Sequence, residues 1–151
     1  MSTIGDLVDA SLVASLLDGL ATHLETVGIA TYSLTTPVPD PGIAVVINAM
    51  PETPDRIVSL TTYSVADDPA LIQGVVGLQV RVRGGEDPRE SIALDDACFD
   101  AFQNLTGLFG SVWVTQMYRQ SGAPLGQDAN DRWERSSNYY IDVSRPSTHR
   151  E

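Results

Sequence analysis

Apolar residues at the start of the chain recur every three or four positions, which is the spacing of one helix face. We predict an amphipathic helix over about residues 5 to 26, with Thr3 as its N-cap, Asp6 three residues later and Gly28 as its stop. Gly19 weakens this helix by about 1 kcal/mol relative to alanine. The apolar positions are Ile4, Leu7, Val8, Leu12, Val13, Leu16, Leu17, Leu20, Leu24 and Val27.

Two β-strands are predicted next. Five prolines between residues 36 and 55 exclude a helix and bracket the apolar run 43–47, which we interpret as a short strand. Residues 56–65 are dense in β-branched and apolar residues and predict a second strand. The prolines are Pro37, Pro39, Pro41, Pro51 and Pro54.

A third strand, residues 75–83, alternates between apolar and polar side chains. Leu78, Val80 and Val82 face one way, and Gln79, Arg81 and Arg83 face the other. We therefore expect one face to pack against the core. The opposite face is expected to be solvated or to lie in a subunit contact.

The second half of the chain predicts one helix and two strands. Asp87 is an N-cap with Pro88 at the first helical position, and Gly107 ends the helix. A strand over 112–119, a turn-rich loop over 121–131 and a last strand over about 133–143 follow. The apolar stripe of the helix is Leu94, Cys98, Ala101, Phe102 and Leu105.

The predicted order α-β-β-β-α-β-β indicates an α+β fold. We expect a single small antiparallel or mixed sheet of about four to five strands with two main helices packed on one face. A chain of 151 residues fits one domain over residues 1–151, in which 144–151 form a flexible polar tail.

The charge of the chain restricts its partners. Twenty acids against nine basic residues, all of them arginine, give a formal net charge of −11. Tight DNA binding needs a basic face to neutralise phosphates, and this chain has no surplus of cations to build one. An acidic surface suits a passage through which DNA slides, although acidity that serves solubility is the more common explanation. No apolar run is long enough for a membrane span, so no membrane partner is expected.

No pattern of catalytic, metal-binding or cofactor-binding residues is visible, so we expect neither an enzyme nor a bound cofactor. Asp128, Asn130 and Asp131 suggest a calcium loop, but the following ligand and glycine positions fail, and we interpret the segment as a turn with Asx hydrogen bonds. Arg132 is placed to pair with one of these acids. Cys98 lies on an apolar stripe next to several acids, which predicts a buried thiol with a raised pKa.

Arg81 and Arg83, two positions apart on one strand face, leave two explanations open. They form exposed salt bridges worth about 0–1 kcal/mol each, or they dock an acidic patch of a neighbouring subunit. With the turn residues, the candidate subunit-interface residues are Arg81, Arg83, Asp128, Asp131 and Arg132.

Several segments together resemble the tail terminators, or minor capsid proteins, of long-tailed siphovirus-type bacteriophages. They are the strand 78–83, the Asp87-Pro88 helix start, Leu125-Gly126 with Asp131-Arg132, and Asn138-Tyr139. The resemblance implies a homo-oligomeric ring, a hexamer, on the head-proximal end of the tail tube. Such a ring ends tube growth and joins the head.

The resemblance also implies partners and a location. The partners would be other copies of the chain, the tail tube protein and a head-completion or connector protein, with genomic DNA passing through the lumen without specific binding. The protein would be assembled in the host cytoplasm and reside in the virion at the head–tail interface.

Two alternatives remain open at this point. One is a head-completion or connector ring of the phage neck. The other is a small-ligand module or enzyme with a pocket lined by Trp113, Tyr118, Trp133 and Tyr139, although packing explains these aromatic residues more simply.

Overall fold

The computed structural model describes residues 2–67 and 73–144. These residues form an α+β fold, as predicted, with three helices and a seven-stranded mixed sheet instead of four to five strands. The two strands absent from the prediction are only two and three residues long, which is too short to show a periodicity. The elements are α1 (Ile4–Ala10), α2 (Leu12–Thr26), β1 (Thr31–Tyr32), β2 (Ile43–Ile47), β3 (Arg56–Asp67), β4 (Gln73–Arg83), α3 (Pro88–Phe102), β5 (Gly107–Phe109), β6 (Val112–Gln127) and β7 (Trp133–Ser144).

The sheet has the strand order β1-β2-β3-β4-β7-β6-β5. Strands β1, β2 and β3 are parallel, and the remaining neighbours are antiparallel. One hydrophobic core contains the apolar sides of both α2 and α3 together with alternate residues of the strands, so these two helices cover the same face, as predicted. Within residues 2–67 and 73–144, no helix packs on the other face, which we call the helix-free face.

The single predicted N-terminal helix is wrong, because the chain breaks at Ser11 into α1 and α2. Ser11 adopts an extended conformation, and its hydroxyl accepts a hydrogen bond from the amide of Ala14, which caps α2. The predicted start is confirmed, since Thr3 and Asp6 form a reciprocal capping box. The predicted stop is also confirmed by Gly28, whose φ of 84° suits glycine.

The predicted end of α3 and the loop over 121–131 are also wrong. The helix ends at Phe102, and Gly107 begins β5. Strand β6 continues to Gln127, which leaves a short turn before β7. Glycine and proline residues suggested a loop there, but β6 tolerates them because it shifts register against β7 at three places.

The connection between the parallel strands β2 and β3 determines the geometry of the candidate site. Residues 48–55, hereafter the crossover loop, return the chain to the start of β3 without a helix. The loop lies against the helix-free face, where Ile57 and Arg83 are opposite each other in the register and both are buried. Of the predicted tail over 144–151, Ser144 belongs to β7 and the rest lies outside the described residues.

Candidate functional site

Arg83 is buried inside the chain, where its guanidinium holds the crossover loop. Only 2% of the residue is exposed. Its Nε donates to the carbonyl oxygen of Asp55 at 2.8 Å, and its Nη2 donates to those of Pro51 at 2.6 Å and Pro54 at 2.8 Å. A loop without regular structure leaves such carbonyls in need of donors, and Arg83 supplies them. The expectation that Arg83 lies on an open face is therefore wrong.

Arg132 joins the turn between β6 and β7 to the same loop. Its Nη1 donates to the carbonyl oxygen of Glu52 at 2.6 Å and to Asp55 Oδ1 at 3.1 Å. Its Nε donates to Asp128 Oδ2 at 2.9 Å, which confirms the expected pairing with a turn acid. We call Arg83, Arg132, the crossover loop and the turn 128–132 the arginine cluster.

The turn 128–132 is held by one carboxylate. Asp128 Oδ1 accepts hydrogen bonds from the amides of Asn130 and Arg132, both at 2.9 Å, which confirms the predicted Asx turn. Asp131 is exposed at the tip and has a φ of 62°. This left-handed backbone conformation is unfavourable for a residue with a side chain. A hydrogen bond from Gln127 Nε2 to the carbonyl oxygen of Asp131 at 3.0 Å helps to hold it.

The ionisation of the cluster follows from these contacts. Burial lowers the pKa of Arg83, and the positive charge of Arg132 lowers it further. Burial alone would lower the pKa of Arg132, but hydrogen bonds to Asp128 and Asp55 outweigh it and raise that pKa. Partial burial would raise the pKa of Asp128, but hydrogen bonds from the backbone of Arg132 and Asn130 and from the Arg132 side chain hold the pKa below its usual value.

Arg81 lies beside the cluster on the helix-free face, as predicted. Its Nη2 and Nε both lie 2.7 Å from Glu134 Oε1, and its side chain remains 42% exposed. Water screens the charge of Arg81, whereas Glu134 is buried and has lost most of its hydration. Of the two arginines proposed for a subunit contact, Arg81 is the one with a surface available to a partner.

The structure thus brings all five predicted interface residues to one end of the sheet. Arg83, Arg132 and Asp128 face inward and hold the loop and the turn together, whereas Arg81 and Asp131 are accessible. A cavity of about 390 Å³ opens among the cluster residues. Their role in a subunit contact stays a prediction. The residues that line this cavity are Glu52, Thr53, Asp55, Gly85, Glu86, Asn130 and Arg132.

Sequence reasoning missed the buried carboxylate of Asp95 on α3. Asp95 accepts a hydrogen bond from Ser137 Oγ at 2.8 Å. Arg135 Nε at 3.5 Å and Arg119 Nη1 at 3.8 Å supply positive charge. The signal available in the sequence was the helical spacing, since Asp95 is adjacent to Leu94 and one turn before Cys98 on the buried side of α3.

The helix-free face of the sheet is polar and aromatic. The ring of Tyr63 lies over Gly77, where a Cβ would collide with it. Tyr118 and Tyr140 meet edge to face, with ring centroids 5.9 Å apart. Tyrosine presents a large apolar body with a polar tip, a combination enriched at protein interfaces. This face is therefore suited to contact another protein.

Comparison with known proteins assigns the chain to a family. A family model described as "Bacteriophage tail terminator protein" matches residues 23–145, which is most of the chain. The chain belongs to the bacteriophage tail terminator family. The resemblance inferred from the sequence is confirmed, and the tail terminator is a structural component of a phage tail.

A solved structure supports the fold. This tail terminator superimposes on a chain of the "Virion of native gene transfer agent (GTA) particle" with a TM-score of 0.63 and 15% identity, covering 89% of this chain and 98% of that chain. A second solved chain gives a TM-score of 0.45 at 19% identity over 72% of this chain and 84% of that chain, which is too weak for structural inference. No curated protein matches in sequence.

The aromatic pocket considered for a ligand module does not form in the tail terminator. Trp113 and Trp133 lie at opposite ends of the β6–β7 hairpin. Tyr139 is in the core, whereas Tyr118 belongs to the helix-free face, because successive side chains of a strand point to opposite faces. Within residues 2–67 and 73–144, no group of three or more acids, histidines or cysteines could hold a metal ion, and no helix could span a membrane.

Proposed function

We propose that this tail terminator assembles into a closed homo-oligomeric ring, a hexamer, that caps the head-proximal end of the tail tube. The family match over residues 23–145 is the observation that carries the proposal. The ring would end the growth of the tube and present the surface that joins the head. Its partners would be other copies of the chain, the tail tube protein and a head-completion or connector protein.

The surface of the subunit is compatible with ring closure. A closed ring needs a heterologous contact, in which two different surfaces of each subunit meet. The subunit has a helix-covered face, an open tyrosine-bearing face and, beside the arginine cluster, an accessible Arg81 near the exposed Asp131. We assign Arg81 and Asp131 to contacts between subunits, and Arg83, Arg132 and Asp128 to holding the loops that carry these contacts.

The charge of the subunit suits a passage for DNA. A net charge of −11 per chain repels phosphates and opposes stationary binding. A ring of such subunits would let genomic DNA pass through its lumen without specific binding. We place the protein at the head–tail interface of the virion, after assembly in the host cytoplasm.

A neck ring is the neighbouring possibility. A head-completion or connector protein would also surround DNA, but the matching family model describes tail terminators. The two functions differ in which half-particle the protein binds. The tail terminator is expected on tail tubes before they meet a head.

The test uses tubes assembled from the tail tube protein of the same phage. Tubes grown with this protein should be shorter, and electron microscopy should show one ring at one end of each tube. Arg81→Gln should reduce the number of capped tubes, whereas Arg89→Gln, an equal change of charge at an exposed residue that pairs with Asp87 outside the arginine cluster, should not. Binding to DNA-filled heads with no binding to tubes would favour the neck ring.

A further inference from the structure

Helix α1 has an apolar side that is exposed in the part of the subunit that the structure describes. Ile4, Leu7 and Val8 are 78%, 57% and 48% exposed, and no residue of the helix is buried. Their spacing of three and four residues places them on one side, opposite Asp6 and Asp9. An amphipathic helix of seven residues with its apolar side in water has little reason to stay folded alone. This geometry indicates a partner surface.

The described residues of the same subunit also form an open apolar groove. A cavity of about 380 Å³ opens between the end of α2, the start of β2 and one side of α3. Its walls are Gly28, Ile29 and Ile43 on one side and Ala93, Leu94 and Ala97 on the other. The lining also includes Gly84, Glu90 and Arg56, whose side chain is partly exposed. The small residues Gly28, Ala93 and Ala97 leave room in the groove for larger apolar side chains.

The subunit cannot fill its own groove with α1. Ser11 alone separates α1 from α2, so α1 stays at the N-terminal end of α2. The groove begins at Gly28, beyond the opposite end of α2. A helix of 15 residues is about 22 Å long, which one linking residue cannot span.

We propose that α1 of one subunit packs its apolar side into the groove of the next subunit. The proposal rests on the ring proposed above and names one of its contacts. Helix and groove lie at opposite ends of α2, so the contact is heterologous, as a closed ring requires. The contact would be apolar, because Asp6 and Asp9 lie on the side of α1 away from the groove and Arg56 at the groove is already paired with Glu90 at 2.7 Å.

The family model begins at residue 23, so α1 lies outside the matched segment. The α1–groove contact would therefore act as a clasp that strengthens a ring whose other contacts come from the matched part of the chain. Loss of the clasp should weaken self-association without unfolding the subunit.

Paired variants test the clasp from both sides. Leu7→Asp introduces a charge into the apolar side of α1, and Gly5→Asp introduces the same charge on the polar side, where a Cβ meets only Thr3 Oγ1 at 3.6 Å. Ala93→Trp fills the groove, and Ile92→Trp changes the exposed neighbouring position on α3 outside the groove lining. Sedimentation should show at least tenfold weaker self-association for the first of each pair and wild-type behaviour for its control.

Cross-linking tests the position of the contact directly. Protein with Leu7→Cys is mixed with protein carrying Ala97→Cys and oxidised mildly. A disulfide between chains should form in the mixture and not in either protein alone, since Cα atoms must come within about 7 Å. The native Cys98 is fully buried and should not react.

Self-association is measured in solution and on tube ends, with circular dichroism as the control for folding. If the Leu7→Asp variant is folded and forms rings as well as the wild type, and if the cysteine mixture gives no disulfide, the clasp is overturned while the proposed ring stands. If Leu7→Asp and Ala93→Trp weaken the rings and their controls do not, the clasp is supported. A wild-type protein that neither self-associates nor binds tubes contradicts both proposals.

Discussion

Arg83 donates a hydrogen bond from Nη2 to the carbonyl oxygen of Pro51 at 2.6 Å, across the boundary between strand β4 and the crossover loop. The two residues are far apart in sequence, yet the contact determines how the loop lies on the helix-free face. Arg83 is fixed by its position in the central strand β4, so the loop is held by the sheet and not by its own structure.

Replacing Arg83 by methionine should lower the free energy of unfolding by about 3 kcal/mol. The change keeps most of the side-chain volume but removes the donors to three buried or half-buried carbonyl groups, and unsatisfied buried groups cost about 1–3 kcal/mol each. Urea unfolding measures the loss.

The matched control is Arg81→Met, two residues earlier on the same face. Water can replace the half-exposed Arg81 beside Glu134, but this buried carboxylate still loses its partner, so we expect a loss of about 1–2 kcal/mol, smaller than for Arg83→Met. Equal losses for the two variants would show that Arg83 contributes no more than the ion pair between Arg81 and Glu134.

Local signals in the sequence predicted most of the fold. The strands over 43–47, 56–65, 75–83 and 133–143 appear within a few residues of their predicted bounds, because alternation and β-branched composition report directly on a half-buried sheet. The helix caps at Thr3 and Asp87 were predicted because they depend on neighbouring residues.

The remaining errors come from contacts between distant residues. Pairing with β7 keeps 121–127 in a strand although their glycines and proline favour a turn. Arg83 is buried because the crossover loop covers one end of an otherwise open face, which alternation along β4 cannot reveal. The burial of Asp95 likewise depends on Ser137 and Arg135 from β7.

Gly19→Ala should destabilise the folded protein, although the same change would stabilise the isolated helix. Alanine favours a helix over glycine by about 1 kcal/mol, but a Cβ at Gly19 would overlap the backbone of Gly110 and Phe109, where the turn after β5 crosses α2. Backbone cannot move aside cheaply, so we expect a net loss of about 2 kcal/mol. Thermal or urea unfolding measures it.

Gly5→Ala is the control for helix propensity. Its Cβ meets only Thr3 Oγ1 at 3.6 Å, an ordinary contact, so stability should stay equal or rise slightly. A stabilised Gly19→Ala variant would mean that α2 and the β5–β6 turn can separate without cost.

Cys98 should resist thiol reagents in the native protein. Burial and the nearby charge of Asp95 raise the pKa of the Cys98 thiol to about 12, so little thiolate is present at neutral pH, and the side chain is fully covered. Labelling with an aromatic disulfide should proceed only as fast as the protein opens, and should become complete in denaturant. Rapid labelling of the native state would contradict the packing of α3 onto the sheet.

Acid should weaken the start of α3. Hydrogen bonds from the side chain and backbone of Arg89 lower the pKa of Asp87 from 3.8 to about 2. A depressed folded-state pKa contributes stability that is fully present above the unfolded value of 3.8 and is lost as the pH falls toward about 2.

Asp87→Asn keeps an N-capping side chain but removes the charge, so it separates the effect of the cap from the effect of the charge. Urea midpoints at pH 5 should be lower for the variant than for the wild type, and the difference should shrink as the pH falls from about 4 through about 2. A difference that stays constant with pH would show that Asp87 acts through its cap geometry alone.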